Sequence, residues 1–458
     1  MTNIIAVSSK AITKLTTPQL LKGGLYLTWG TSLLLLIATI MGVQGQRYSI
    51  KTVGKDAVPS IMTAQRIKDA LAGMDANAVN ELLVKPGQNP SAVKDYEERR
   101  QKLADRLVAA AENITYNDER QPIQTLQLAQ GEYIAKIQRA RDFNERGDAN
   151  GVVVTYREAA EIMDKTLLPA ADALDKANST QLEQVYAAQQ LATGRSLFPV
   201  VIFGLFLIGV LVKIQVFLYY RMRRILNPML LAATAIALIF LGYTTQALLS
   251  ASYHLKVAKK DAFESMHALR QMRAFAYSMN ADESRYLLDK ALAAKHEQAF
   301  FEKTAKIAQV PNGQTFETVV AALAQGQKVD GLLTGYIADE FKNITFPGEQ
   351  EAAVATLKTF GIYFNIDKQI RQLEQSGKHE SAIALCVGTN PGQSNWAFTE
   401  FLKANNQAFD INQKAFDEAV NQGFKDVDGF EISTPVVAVL VGLLTFFGLR
   451  SRLKEYEL

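Results

Sequence analysis

The chain has 458 residues, a formal net charge of +3 and 48% hydrophobic residues. Basic and acidic residues balance in both halves, which argues against nucleic acid as a partner. A lone cysteine, Cys386, excludes an intrachain disulfide, and the four histidines at 254, 267, 296 and 379 lack the spacing of a metal site. We therefore expect no cofactor.

Four windows carry almost no charge, and they lie at 24–45, 197–220, 225–250 and 433–449. Each approaches or exceeds the roughly 18–20 apolar residues that cross a bilayer as a helix. The alternative, four core helices of a soluble protein, is disfavoured because such helices seldom exceed about 14 apolar residues. The sequence therefore predicts four transmembrane helices with the lipid bilayer as the first partner.

Basic residues gather at one end of every window: before the first, between the second and third, and after the fourth (Lys10, Lys14, Lys22; Arg221, Arg223, Arg224; Arg450, Arg452, Lys454). Short basic segments are retained on the cytoplasmic side of a membrane. We therefore expect a multi-pass protein of the plasma (inner) membrane. Its termini (1–23 and 450–458) and its basic turn (221–224) are predicted to be cytoplasmic, and 46–196 and 251–432 are predicted to be outside.

The first half, residues 46–196, reads as helices. After the first window the chain keeps a heptad seam at Ile50, Val53, Ala57, Ser60, Ala64, Ile67, Leu71, Met74 and Ala78. Further helices are expected at 92–113 and 122–146, and from residue 152 into the second window, with turns between them. These elements predict an antiparallel four-helix bundle.

The second half, residues 251–432, repeats the first. A shift of 205 positions lays 48–83 on 253–288, with identities that include Tyr48/Tyr253, Lys51/Lys256, Lys55/Lys260 and Asp56/Asp261. The seam continues at Leu255, Ala258, Ala262, Ser265, Leu269, Met272, Ala276 and Met279. The bounds of the helices between 315 and 346 are not defined by the sequence pattern. We predict an all-α membrane protein with four transmembrane helices and two extracytoplasmic four-helix bundles produced by internal duplication.

The stretches "YSIKTVGKDAVPSIMTAQRIKDAL", "RDFNERGDANG" and "TLLPAADALDKANSTQLEQ" resemble the four-helix-bundle extracytoplasmic sensor module of bacterial chemoreceptors and sensor kinases. This resemblance implies a sensory function. Family members follow the second membrane helix with a linker and a kinase, cyclase or methyl-accepting coiled coil. Here the chain turns back through "RMRR", so we expect input modules in tandem without an output domain.

No glycine-rich phosphate loop, zinc-type histidine motif or nucleophile elbow is present in the sequence, so we expect no enzyme. The acidic residues are expected at solvent-facing helical positions. The resemblance implies that arginines of the first helix bind a ligand's carboxylate between two bundles. The candidates are Arg66, Lys68, Arg270 and Arg273, which flank the seam. The alternative is that they are ordinary solvated side chains.

From the rise per residue of an α-helix, Arg66 is expected at the same height above the membrane as 172–178, and Arg270 at the same height as 405–412.

Our first hypothesis is a signal-transducing protein whose halves pair as a pseudo-dimer. It would take an amino-acid-like ligand or a solute-binding protein outside, and Arg221, Arg223 and Arg224 would contact a kinase or other effector. The second is a scaffold subunit of a membrane or envelope complex. Homo-oligomers fit either hypothesis, whereas a transporter is disfavoured because the windows lack central acidic residues.

Overall fold

The computed structural model describes the backbone of residues 16–222 and 227–455, and the side chains of all of these except 189–196 and 222. Lys10, Lys14, Arg223 and Arg224 therefore lie outside the described residues. Within those ranges the chain is helical and forms no β-strand, apart from one isolated bridge. The helices are α1 (Thr17–Leu82), α2 (Pro90–Glu112), α3 (Arg120–Glu145), α4 (Ala149–Ile162), α5 (Leu168–Met222), α6 (Pro228–Leu288), α7 (Ala293–Ile307), α8 (Phe316–Ala324), α9 (Tyr336–Lys342), α10 (Glu349–Gln375), α11 (His379–Val387), α12 (Ser394–Asp426) and α13 (Phe430–Lys454).

Among the described residues, four helical stretches are long and apolar enough to cross a membrane. They are α1, the part Leu197–Arg221 of α5, α6, and the stretch Ser394–Lys454 that holds α12 and α13. The four predicted windows fall on these stretches. Helices α1 and α6 have 66 and 61 residues, far more than the ~20 that span a bilayer. Each therefore carries a long polar part in addition to its apolar window.

The chain divides into two compact units. The apolar unit comprises Met1–Lys51, Gln184–Leu255 and Ala419–Leu458. Inside it α1 packs against α13, and the Trp29 Nε1 donates to the carbonyl oxygen of Gly442 at 3.2 Å. Arg47 forms an ion pair with Glu431 in the same unit. The helical unit comprises Thr52–Glu183 and Lys256–Glu418, so parts of both halves build it.

The predicted heptad seams form the centre of the helical unit. Within it α1 packs against α2 and α6, and α6 packs against α7. Every seam residue from Val53 to Ala78 and from Ala258 to Met279 is buried. The predicted seams are therefore confirmed. Both helices also widen into a π-helical turn, at Thr52–Ala57 and at Val257–Phe263, which the shift of 205 positions superposes.

A polar corner closes the turn before α3. The Asn113 Nδ2 donates to the Ser60 hydroxyl at 3.0 Å, which ties the end of α2 to α1. The buried carboxylate of Glu119 accepts from the backbone N–H groups of Thr115 and Tyr116 at 2.6 and 2.8 Å. These bonds satisfy donors that a helix start leaves unpaired.

The same corner stands before α10 in the second half. The Asn343 Nδ2 donates to the Ser265 hydroxyl at 2.9 Å. The buried Glu349 carboxylate accepts from the backbone N–H groups of Thr345 and Phe346 at 2.7 and 2.9 Å. The two corners thus have the same hydrogen-bond pattern.

The second half departs from the first in the region that the sequence left undefined. Helix α7 ends at Ile307 and α9 begins at Tyr336, and the segment between them carries α8. Backbone hydrogen bonds of 2.9 and 3.0 Å between Gln309 and Thr334 close this segment. Gly335 follows at φ 97°, where a Cβ would lie 2.7 Å from the carbonyl oxygen of Lys306. Only glycine fits that return point.

The expectation that acidic residues face solvent is wrong for several of them. Asp75, Glu283, Glu340, Glu349 and Asp367 are each at most 2% exposed. Each finds donors inside the helical unit, from tyrosine, serine, asparagine or arginine side chains. Helical spacing can indicate the partner of Asp367, because Arg371 lies four residues later on the same helix. It cannot show the partners of the other four, because these come from other helices.

Candidate functional site: an arginine cluster between the two halves

Four arginines surround one carboxylate where the two halves meet in the helical unit, and a fifth arginine lies beside two of them. We call them, with Asp69, the arginine cluster. Its members come from three helices: Arg66 and Asp69 from α1, Arg99 and Arg106 from α2, and Arg270 and Arg273 from α6.

Arg273 makes the closest contact with Asp69. Its Nε donates to the Oδ1 of Asp69 at 2.8 Å, and its Nη1 donates to the Oδ1 of Asn406 on α12 at 3.0 Å. The side chains of Arg273 and Asp69 are 13% and 9% exposed. This largely buried ion pair therefore joins α1 of the first half to α6 of the second.

Arg99 lies across both helices. Its Nη1 donates to the carbonyl oxygen of Asp69 at 3.4 Å, and its Nη2 donates to the Tyr277 hydroxyl. The guanidinium also stacks 4.1 Å from the centroid of the Tyr277 ring. Gly73 makes room for it, because a Cβ there would lie within 2.7 Å of three guanidinium atoms. The position of Arg99 thus depends on a glycine in α1.

Arg270 and Arg106 are the partly buried members without a carboxylate in direct contact among the described residues. The guanidinium of Arg270 lies 3.8 Å from the ring centroid of Phe409, and its buried Nε has no hydrogen-bond partner among the described residues. The Nη1 of Arg106 donates to the carbonyl oxygen of Arg66 at 2.5 Å. Neither arginine forms a salt bridge within the part of the chain that the structure describes.

Burial and the neighbouring charges shift the pKa values of Arg270 and Arg106. Burial lowers the pKa of Arg270 to about 10, although the negative charge of Asp69 acts to raise it. The positive charges of Arg273, Arg66 and Arg106 act in the same direction as burial. Burial also lowers the pKa of Arg106, and the neighbouring arginines again add to the shift. Both guanidinium groups nevertheless stay protonated at neutral pH.

This arrangement suits an anion. Guanidinium forks bind carboxylate or phosphate oxygens through paired hydrogen bonds. At an effective dielectric constant of about 20, two unit charges about 4 Å apart interact by about 4 kcal/mol. A small anion near the cluster would offset repulsion that Asp69 alone leaves in place. In the described residues, no group of three histidine, cysteine or acidic side chains could hold a metal ion.

Lys68, another predicted site residue, lies beside the cluster. Its buried Nζ donates to Asp172 on α5 at 2.5 Å and lies 4.7 Å from the ring centroid of Phe275 on α6. Asp172 belongs to the range 172–178 that is predicted to lie level with Arg66. The side chain of Arg66 is exposed. The structure therefore brings Arg66, Arg270 and Arg273 together and places Lys68 in a separate ion pair.

Sequence reasoning missed Arg99 and Arg106. Both lie on α2, whereas the resemblance to sensor modules points to arginines of the first helix of each half. The residue that could have pointed to them is Gly73, since a glycine inside a buried helix often marks a close approach by another group. Of the proposed effector contacts, Arg221 is exposed near the end of α5, and Arg223 and Arg224 are outside the described residues.

A second buried ion-pair network links the halves. Arg285 on α6 donates to Asp75 on α1 at 2.6 Å and to Asp164 in the π-helical turn after α4 at 2.9 Å. It also donates to Asp282 at 3.1 Å and to the Tyr156 hydroxyl at 3.0 Å. The two halves are therefore joined by buried charge at two places.

Comparison with known proteins gives one match. Residues 49–187 match the family model of the Actinobacterial sensor domain. The match covers less than a third of the chain and includes Arg66, Lys68, Arg99 and Arg106. No curated protein and no solved structure matches the chain. The first half therefore fits a sensor module, and this similarity suggests a sensory role.

Proposed function

We propose that this chain is a membrane-bound sensory protein that binds a small anionic ligand at the arginine cluster. The observation that carries the proposal is that four arginines share one carboxylate, Asp69, at a junction built by both halves, and that a fifth, Arg66, lies beside them. The match of residues 49–187 to a sensor domain and the four apolar helices support the sensory and membrane parts. The role is binding and relay, without catalysis.

We infer that the halves are antiparallel four-helix bundles related by internal duplication. Support comes from the two polar corners, whose central glutamates are Glu119 and Glu349. The superposed π-helical turns support it too. One chain would then supply the pair of bundles that two subunits supply in a chemoreceptor-like sensor.

The ligand class follows from the groups that are least satisfied. Arg270 offers a buried Nε without a partner, and the hydrogen bond of Arg106 goes to a carbonyl oxygen rather than to a carboxylate. A carboxylate supplies two oxygens to such donors. An amino-acid-like ligand, or a solute-binding protein that presents an acidic side chain, has this chemistry.

The relay would run along α6, which carries Arg270 and Arg273 and continues into the third predicted transmembrane window. In this proposal the termini and the turn at 221–224 face the cytoplasm of the plasma membrane. Arg221, Arg223 and Arg224 would contact a separate kinase or other effector. Binding between the halves would shift the helices that lead to this turn.

A scaffold without a ligand is the second candidate. It is favoured by the ion pairs Lys68–Asp172 and Arg273–Asp69, because two of the four predicted binding residues already have carboxylate partners. Under that function the cluster would serve only to join the halves, and the protein would co-purify with another membrane or envelope complex.

Titration calorimetry on the full chain in lipid nanodiscs distinguishes the ligand-binding sensor from the scaffold. Aspartate, glutamate, succinate and phosphate are the probes. We expect saturable binding of at least one, weakened about tenfold or more by Arg270→Gln, since a hydrogen bond to a charged group contributes about 1.5–3 kcal/mol. Arg100→Gln is the matched control, because Arg100 is exposed on α2 and pairs with Glu97. Absence of binding, or equal losses in both variants, would contradict the proposal and favour the scaffold.

A further inference from the structure

The segment 308–335 lines a pocket in the second half. Its helix α8 packs against α10, and the Gln309–Thr334 bridge holds its two ends together. Between this segment and the helices α7 and α10 lies a cavity of about 350 Å³. We call it the insertion pocket. The first half runs its α2 without interruption from Pro90 to Glu112 and has no such segment.

Three phenylalanine rings from three helices form the apolar part of the insertion pocket. Phe301 comes from α7, Phe316 from α8 and Phe364 from α10. Phe364 meets Phe316 at a centroid distance of 5.3 Å and Phe301 at 6.2 Å, both edge to face. Phe301 is 38% exposed, so its ring is open to solvent at the pocket. The pocket therefore presents an open aromatic wall.

One carboxylate and one amine complete the lining. Glu317 accepts from the Nδ2 of Asn365 at 2.8 Å, which fixes its carboxylate at the pocket. Its own backbone N–H and the Thr315 hydroxyl lower the pKa of Glu317, so it is ionised at neutral pH. The Nζ of Lys368 lies 4.5 Å from the ring centroid of Phe364. Neither Glu317 nor Lys368 forms a salt bridge, with the other or with any described residue.

We propose that the insertion pocket binds a small zwitterion with an apolar side chain, the chemistry of an apolar α-amino acid. The amine of Lys368 would pair with the ligand's carboxylate, Glu317 would accept from its ammonium group, and the phenylalanine rings would cover its side chain. Opposite charges that line one pocket select against molecules that carry only one of the two groups. The pocket shares no residue with the arginine cluster, and the proposal does not rest on the function proposed above.

The test uses the full chain in lipid nanodiscs and four probes: phenylalanine, leucine, 3-phenylpropanoate and phenethylamine. The last two each lack one charged group of phenylalanine. We expect saturable calorimetric binding of phenylalanine or leucine, and binding at least about tenfold weaker for the two analogues, since each loses a charge-assisted contact. Lys368→Met and Glu317→Gln should each weaken amino-acid binding about tenfold.

Matched controls lie on α10. Lys358→Met and Glu351→Gln alter exposed residues that do not line the pocket, so both should bind the amino acids as wild type does. Arg270→Gln should also leave this binding unchanged, which separates it from the arginine cluster. Because Lys368 and Glu317 are exposed, their variants should keep the wild-type melting temperature. Absence of binding by both amino acids, or binding that survives Lys368→Met and Glu317→Gln, would overturn the proposal.

Discussion

Lys68 and Arg273 occupy equivalent positions in the two halves, related by the shift of 205 residues, yet they pair differently. Lys68 donates to Asp172 of its own half at 2.5 Å. Arg273 donates to Asp69 of the opposite half at 2.8 Å. Arg273 therefore pairs with a carboxylate of the opposite half, whereas Lys68 pairs with one of its own half. The arginine cluster is built on this asymmetry.

Replacing Asp69 should destabilise the helical unit. Asp69→Asn removes the carboxylate that the arginines share and leaves buried positive charge uncompensated, a loss of about 3–5 kcal/mol in the free energy of unfolding. Chemical denaturation of the full chain, followed by circular dichroism, measures this loss. Asp95→Asn on the exposed face of α2 is the control. Equal unfolding midpoints for Asp69→Asn and wild type would show that the cluster does not depend on this carboxylate.

Gly73→Ala should damage the cluster without unfolding the protein. The new Cβ would lie within 2.7 Å of guanidinium atoms of Arg99, so that side chain must move away from Tyr277. We expect weaker anion binding by calorimetry and retained helicity. Gly131→Ala on α3 is the matched control, since nothing lies within 4 Å of its Cβ. It should stabilise the protein by about 0.5–1 kcal/mol, as a glycine-to-alanine change inside a helix does. Wild-type anion binding by Gly73→Ala would contradict this account of Arg99.

Glu340 should make stability fall as pH rises. Burial, together with the charge of Glu349, raises the pKa of Glu340 to about 8. The unfolded carboxyl group titrates near ~4.3, so between these values the folded state holds a proton that the unfolded state releases. Glu340 should therefore contribute a decrease of about 1.4 kcal/mol per pH unit to the free energy of unfolding in that window, and this contribution should level off above it.

Glu340→Gln should remove this contribution and leave a shallower slope, because the amide does not titrate while Glu283 and Asp367, whose pKa values burial also raises, still do. Melting temperatures of the two proteins should be similar at pH 5, and the variant should melt higher at pH 9. Glu351→Gln, an exposed change on α10, should keep the wild-type profile. Parallel profiles for wild type and Glu340→Gln would refute the assignment.

Arg285 should contribute strongly to stability. It is 3% exposed and donates to Asp75, Asp164 and Asp282. Arg285→Met would leave the buried carboxylates of Asp75 and Asp282, and the exposed one of Asp164, without their common partner, at a cost of about 3–5 kcal/mol in the free energy of unfolding. Arg139→Met, which changes an exposed arginine on α3, should cost far less. Similar unfolding free energies for both variants would show that the network is solvated in solution.

The heptad seams and the apolar windows could be predicted from the sequence because both are local patterns. Ile67 and Leu269, for example, are buried because their spacing places them on one helix face. The partners of charged residues could not be predicted, since Arg99 and Asp69 belong to different helices. Their pairing depends on how α2 packs against α1.

A further sign of the duplication lies later in each half. "NITYNDE" at 113–119 and "NITFPGE" at 343–349 are related by a shift of 230 positions, not 205. The change of offset arises because the segment 308–335 intervenes in the second half. An ungapped comparison therefore loses the repeat after α7, although Asn113 and Asn343 make the same hydrogen bond.

The most direct test of the central claim is a thermal melt of the full chain with and without succinate at matched ionic strength. A ligand that binds only the folded state raises stability as its concentration exceeds its dissociation constant. The account predicts a higher melting temperature for wild type in succinate, and no rise for the double variant Arg106→Gln/Arg270→Gln. Equal rises in both proteins, or no rise in succinate, aspartate, glutamate or phosphate for wild type, would contradict it.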